Sequence, residues 1–539
     1  MNRISPIVFA AYILMSFSGN GRTAEIHVPA SASSIQSAID LAQDGDTVVV
    51  APGRYLENIN FHGKAITLRS ENPEDPKILA GTVIDGGASG PCVTFTSMAG
   101  GTAILAGFTL TNGHASNGGG ICCENSWAII TRVSIQLNSG LQFGGGIYAI
   151  ASSVEISDSD VINNEANAGG GLYCEESSLV VERNAVSSNE ATAGAGMYLS
   201  HCSGGIAHNA LTSNVRAFMG GGMCTYGSTL RIASNVLTAN SADHGGGLFC
   251  QSSYQDIEGN TIMANASYVG AGINIDGQSH RLVGNIITGN AAQQAGGGVA
   301  IHNHGSAVLC ANTIVGNFVR YGRGGGVQLS DSTSCSLVDC IIRGNIAPYG
   351  PQLSLGYSSD EPSLAVSNCD IAGGEKGLPV GPSGTLIWGP GNIDADPLFV
   401  DPGHWDEKGT PSNLSDDVFI PGDYHLLPGS PCIDAGTNRI DNPDTPAIET
   451  LPDKDIAGNP RIIDGDLDGV ATVDMGAYEF LPGDANYDGK VNVIDLILIR
   501  NNLNKDPASV PAARRADLNN DGRVDILDLI FARGQIPRN

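Results

Sequence analysis

Two twelve-residue stretches concentrate the side chains best suited to chemistry: D-A-N-Y-D-G-K-V-N-V-I-D from Asp484 and D-L-N-N-D-G-R-V-D-I-L-D from Asp517. Each puts oxygen-bearing side chains at loop positions 1, 3, 5, 9 and 12 and glycine at position 6. These are Asp484, Asn486, Asp488, Asn492 and Asp495 in the first loop, and Asp517, Asn519, Asp521, Asp525 and Asp528 in the second. Lys490 and Arg523, at position 7, add a backbone carbonyl. Such spacing surrounds a hard divalent cation with oxygens while the glycine makes the sharp turn, so two Ca2+ sites are expected. Each loop leads into an apolar segment expected to be helical, residues 496–499 and 529–532. A third acidic run, Asp464, Asp466 and Asp468 before Gly469, shares the opening spacing but places Met475 at position 12. It reads either as a third Ca2+ site or as an acidic surface loop.

The elements that would carry other chemistry are set by a repeat. Glycine makes up 72 of 539 residues, and nine Gly-Gly-Gly or Gly-Ala-Gly triplets begin at Gly118, Gly144, Gly169, Gly194, Gly220, Gly245, Gly270, Gly296 and Gly324. A fixed period of this length marks stacked units that bury their apolar faces only against their neighbours. After each triplet, apolar residues alternate with period two, as in Ile147 and Ala149 or Leu172 and Cys174, which is a strand signal. Two asparagine rows recur at the same period, one through Asn138, Asn164 and Asn189, the other through Asn184, Asn209 and Asn235. They fit ladders of stacked amides that satisfy corner backbone groups. The expected class is therefore all-β, a parallel β-helix of about 25-residue coils followed by a small helical domain.

The alternation also defines an outward face. Tyr148, Tyr173 and Tyr198 should stack on successive coils, with Glu124, Glu175, Asp276 and His302 in the next outward row. Aromatic faces with scattered carboxylates suit sugar rings, which makes Tyr148, Tyr173, Tyr198, Glu124 and Asp276 candidates for polysaccharide contact. A tyrosine ladder that only stabilises the sheet is the alternative. Glu175 beside Tyr173, and His302 and His304 in A-I-H-N-H-G, are the acid–base candidates. Stacked coils also bring Cys340 and Cys369 into disulfide range as a candidate pair.

Residues 33–69, opening S-S-I-Q-S-A-I-D-L-A, resemble the capping helix and first coil of secreted right-handed pectate-lyase-like β-helices, and T-V-I-D-G-G (82–87) and G-F-T-L-T-N-G (107–113) continue the resemblance. It implies right-handed coils over 25–390 and does not itself name a reaction, and residues 107–350 contain no adjacent aspartate pair. The fold also serves non-catalytic rods and adhesins. The aspartate at position 12, the single helix after each loop and R-A-D-L-N-N-D-G (515–522) resemble type I dockerin modules over 483–539. That resemblance implies a cohesin-like partner met by Val493, Ile494, Ile526 and Leu527, where other members often carry Ser-Thr or Ala-Ile, and, because dockerins accompany polysaccharide-degrading enzymes, action on polysaccharide as a lyase or glycosidase. Between the two, D-A-D-P-L-F-V-D-P (394–402) and V-D-M-G-A-Y-E-F (473–480) resemble a terminal block of secreted bacterial β-helix proteins, here 391–480, with Leu481–Gly483 as linker.

Arg3, the apolar run Ile4–Met15 and the small residues to Ala24 have the layout of a signal peptide, 1–24, so export to the extracellular space or cell surface is expected. No later run is long enough to span a bilayer. The formal net charge of −28 argues against nucleic acid as a partner. Of 55 acidic residues, 27 fall in 391–539, which ties the acidity to the expected calcium region.

Overall fold

The computed structural model describes residues 23–96, 101–356, 361–406, 408, 417–438 and 451–536. The apolar run assigned to a signal peptide lies outside the described residues. Among the described residues the chain winds into parallel sheets of fifteen, thirteen and twelve strands. Sheet A runs from Glu25–Val28 to Thr385–Trp388, sheet B from Gly53–Leu56 to Asp370–Ile371, and sheet C from Ile59–Asn60 to Leu353–Leu355. A fourth, interrupted sheet D lies just before the triplets, with three strands from His114–Asn117 and five from Ala217–Met219. The helix α1, Ile35–Leu41, closes the first coil, its N-terminus capped by Ser34. A second short helix, α2, Pro76–Gly81, follows in the next coil.

Register explains the stacking. Ile147, Tyr148, Ala149 and Ile150 pair in order with Leu172, Tyr173, Cys174 and Glu175, so inward residues stand above inward and outward above outward. The inward members, such as Ile147, Ala149, Val154, Ile156 and Val161, are buried in one continuous core. The first and third glycines of a triplet answer separate demands. Gly144 has φ of 63°, which an L side chain rarely adopts. A Cβ on Gly146 would come within 2.5 Å of the Gly171 carbonyl of the next coil.

Both asparagine ladders are fully buried and continuous. Asn189 N–H and Nδ2 donate to Asn214 Oδ1 at 3.1 and 3.0 Å, while Nδ2 also donates to Val161 O at 2.9 Å. Each amide thus ties the preceding coil to the next. A third ladder uses serine: Ser126 N–H donates to Ser152 Oγ and Ser152 N–H to Ser177 Oγ, both at 3.1 Å. Cys340 and Cys369 continue the second asparagine ladder, the one through Asn184, after Asn312. All twelve cysteines are free thiols, and Cys340 N–H donates to Cys369 Sγ at 3.4 Å, so sulfur takes the acceptor place of an amide oxygen and the candidate disulfide is not formed.

The block after the solenoid packs on the outward side of sheet B, where Ile286, Val315 and Ile341 form a core with Phe399, Tyr424 and Met475. Arg461 is buried, paired with Glu479 at 3.1 Å and donating to Gly476 O and Ala477 O. Beyond it stand α3 Val493–Asn502, α4 Pro511–Ala516 and α5 Ile526–Gln535, around a core that includes Ala485, Ile499, Ala513, Val524 and Ala532.

Candidate functional site

The outward rows of sheet C are not all surface. Tyr148, Tyr173 and Tyr198 stack at 5.6 and 5.3 Å between centroids, but Tyr148 and Tyr173 are only 6% and 5% exposed. Phe143 of sheet D lies 4.6 Å from the Tyr173 ring, and Ala168 and Ala193 close the same cluster. The ring faces expected to meet sugar are used against one another and against sheet D. Tyr173 Oη donates to Glu175 Oε2 at 3.1 Å, which ties that acid into the ladder. Glu124 is held near the same stack, with Cys122 Sγ 3.8 Å from Oε1.

Exposed rings stand one row further round, on sheet D and the turn after it. Phe218 is 51% exposed, Tyr268 45%, Tyr321 61% and Tyr349 58%. Phe218 and Tyr268 occupy the same position two coils apart, about 10 Å at the ordinary strand spacing. Arg320 lies 5.2 Å over the Tyr321 ring and Arg323 4.9 Å over Tyr349, so guanidinium groups share this strip on an otherwise acidic chain. The opposite edge is the half-exposed row Tyr226, Gln251, Asp276, His302 and Ser330, and the floor between them, Phe249, Asn274 and Ala300, is buried.

His302 crosses that floor. Its Nε2 lies 2.5 Å from Asn274 Oδ1, and Asn274 Nδ2 donates to Val269 O of sheet D at 3.3 Å. The amide orientation set by Val269 leaves an acceptor facing Nε2, so Nε2 carries the proton and Nδ1 keeps its lone pair. Burial pulls the imidazole below its usual range, against the opposing pull of Asp276 and Asp331, so the ring is neutral near pH 7. Asp276, paired in register with His302, accepts from Asn303 Nδ2 at 2.7 Å and Gln251 Nε2 at 3.0 Å. His244, edge-on to Phe218 at 5.2 Å, adds a second imidazole from the facing sheet. His304 is exposed on the turn beyond, and Glu175 lies four coils from Asp276, roughly 19 Å. Of the acid–base candidates, only His302 is joined to Asp276. His244 and the exposed rings of sheet D were not legible as a site because the residues before the triplets do not alternate.

The two acidic loops fold alike. Asp484 accepts from Asp488 N–H and Gly489 N–H at 3.2 and 2.8 Å, as Asp517 does from Asp521 N–H and Gly522 N–H at 3.1 and 3.0 Å. Asp495 bridges Asn486 N–H and Asn492 N–H, and Asp528 bridges Leu518 N–H and Asp525 N–H. Asn492 and Asp525 accept from Ile494 N–H and Leu527 N–H, capping α3 and α5. Burial, with the charges of Asp495 and Asp488, raises the Asp484 carboxyl to about 6. Crowded all-oxygen donors of this kind, with Asp484, Asp495, Asp517 and Asp528 buried, fit Ca2+. In the acidic run upstream, Asp464 and Asp466 join Asp434, one carboxylate oxygen of each lying within 4.8 Å of the others. Asp468 instead accepts from Val470 N–H at 2.7 Å.

Val493, Ile494, Ile526 and Leu527 are all more than half exposed at the starts of α3 and α5. Ile497 and Ile530, one helical turn on, extend each patch and follow from helical spacing. A cleft of about 760 Å³ lies elsewhere, between Gly316, Trp405, Phe419, Pro428 and Arg514. No described helix is long and apolar enough to cross a membrane.

Comparison with known proteins agrees with this architecture. The model of the right-handed β-helix region matches residues 80–237 and 246–387, together more than half of the chain, and that of the dockerin type I domain matches 482–533. Among solved structures, the pectate lyase Pel9A is 12% identical, with 85% of this chain and 97% of that one covered at a TM-score of 0.32. A mannuronic-acid-specific family 6 polysaccharide lyase from human gut microbiota is 16% identical, covering 66% and 79% at 0.28. A GH87 α-1,3-glucanase from Streptomyces thermodiastaticus is 12% identical, covering 71% of each at 0.25. No curated protein matches the chain. With its stacked coils, paired ladders and twin acidic loops, the chain belongs to the right-handed β-helix family and carries a type I dockerin domain, a module that binds calcium and docks to cohesin.

Proposed function

We propose that this is an exported protein that holds an extended, acidic extracellular polysaccharide along the channel between sheets C and D. The observation that carries the reading is the strip Phe218, Tyr268, Tyr321 and Tyr349, exposed rings spaced along the solenoid axis with Arg320 and Arg323 beside them. Flat rings take the apolar faces of sugars, and guanidinium groups take their carboxylates. Tyr148, Tyr173 and Tyr198 stack on the coils before the strip and brace that end of the channel, while Asp276 contacts the chain at its edge. Any processing, as a lyase or a glycosidase, is assigned to His302, whose free Nδ1 can accept a proton.

The dockerin tethers this channel to a cohesin-like scaffold through Val493, Ile494, Ile526 and Leu527. Two Ca2+ ions are assigned to it, held by Asp484, Asn486, Asp488, Asn492, Asp495 and the Lys490 carbonyl, and by Asp517, Asn519, Asp521, Asp525, Asp528 and the Arg523 carbonyl. The ions neutralise the crowded carboxylates and hold the loops closed. The uniform amide and serine ladders favour a second reading, a binding rod without turnover.

One experiment separates the readings. Purified protein is run through gels containing acidic or neutral polysaccharide and incubated with each, following new reducing ends and absorbance of unsaturated products. Retardation with product supports processing, and retardation with neither product supports the rod. Mobility unchanged by every polysaccharide removes the channel assignment.

A further inference from the structure

The dockerin does not hang from a free linker. Pro482 and Gly483 are buried, and the backs of both acidic loops rest on block 391–480. The principal contact is Tyr487, which stands between two expected calcium ligands, Asn486 and Asp488, with φ of 57°. Its ring stacks on His425 at 4.9 Å, and His425 stacks in turn on Tyr478 at 3.8 Å. Tyr487 Oη donates to Leu426 O at 3.2 Å. Arg515 lies 5.1 Å over the same ring and pairs with Asp423 of the block at 2.7 Å. Asp423 also meets His425 Nδ1 at 2.6 Å, so one carboxylate ties both faces of the stack. In the second loop the equivalent residue is Asn520, φ 53°, which packs against Gly429.

The position of Tyr487 has a physical consequence. Without a cation the carboxylates of the first loop repel one another, and the loop that presents Tyr487 is free to open. With Ca2+ bound, the residues on either side of Tyr487 are fixed, and the ring is presented to His425. Coupling of this kind is reciprocal, so whatever holds Tyr487 must also raise calcium affinity. The patches of α3 and α5 stay exposed in the seated state, which gives the cohesin-facing surface a fixed direction relative to the solenoid.

We propose that calcium loading of the first loop and seating of the dockerin on block 391–480 are one coupled event, with Tyr487 as the coupling side chain. This rests on the calcium reading of the dockerin. The test titrates Ca2+ into the full chain after chelation, reading heat and hydrogen exchange. His425→Ala and Asp423→Asn alter no calcium ligand and lie outside the dockerin; both should weaken one of two sites by about 5- to 50-fold. Tyr487→Ala should do the same, and Tyr487→Phe, which keeps the stacked ring, should restore most of the affinity. Chelation of the wild type should deprotect amides of 423–430 while those of sheet A stay protected. Unchanged affinity in His425→Ala with sheet A still protected, or unchanged protection of 423–430 after chelation, would overturn the coupling. A wild-type chain that takes up no Ca2+ would overturn the calcium reading and the coupling with it.

Discussion

At the scale of single residues, the ladders hold the largest leverage. Asn214 Oδ1 accepts two bonds from Asn189, and its Nδ2 donates to Val186 O and Asn240 Oδ1 at 2.9 and 3.0 Å. Asn214→Ala leaves several buried groups unpaired at once, an expected loss of about 2 to 4 kcal/mol in urea denaturation. A second prediction concerns pH. Burial raises Asp339 to about 8 and Asp474 to about 7. Their folded values lie above the ordinary 3.8, so the folded state keeps protons that the unfolded chain has already released. Their contribution to stability is complete below about pH 4 and is lost as pH rises through 7 and 8. The thermal midpoint should fall over that window, and Asp339→Asn, which retains an acceptor for Thr437 N–H, should flatten the fall.

At the scale of elements, the repeat was legible where one residue type does one job on every coil. Glycine at Gly144 and Gly169 needs positive φ, and asparagine at Asn189 and Asn214 must bond both the preceding coil and the next, so the same residue type recurs at each. Sheet D was hidden because its last residues, Phe143, Ala168, Ala193, Met219 and His244, share no hydropathy. That omission explains why the tyrosine row was expected at the surface: the strand that covers Tyr173 left no periodic trace. The serine ladder escaped for another reason, since Ser126, Ser152 and Ser177 are as common in exposed turns as in buried ones. The acidic loops were legible because cation coordination fixes their spacing, whereas Asp434, thirty residues before Asp464, joins only through the fold. Chelation should unravel α3 and α5, capped from the loops, without moving the melting of the solenoid. Circular dichroism at two temperatures checks this, and simultaneous melting would contradict it.

At the scale of the whole molecule, the solenoid would carry the proposed channel on one side, and the dockerin stands beside sheet B through the block that packs there. The block 391–480 joins them by packing on sheet B and on the dockerin, so the channel and the docking face should keep one relative orientation in the calcium-loaded state. The channel is the central claim, and the most direct measurement is gel retardation by an acidic polysaccharide, compared between the wild type and Tyr268→Ala with Tyr321→Ala. Both side chains are largely exposed, so the double variant should fold normally while retardation falls about tenfold or more, equivalent to about 1.4 kcal/mol. Tyr173→Ala, which opens the buried stack, should lower the thermal midpoint instead. Retardation undiminished in the Tyr268 and Tyr321 double variant would contradict the channel.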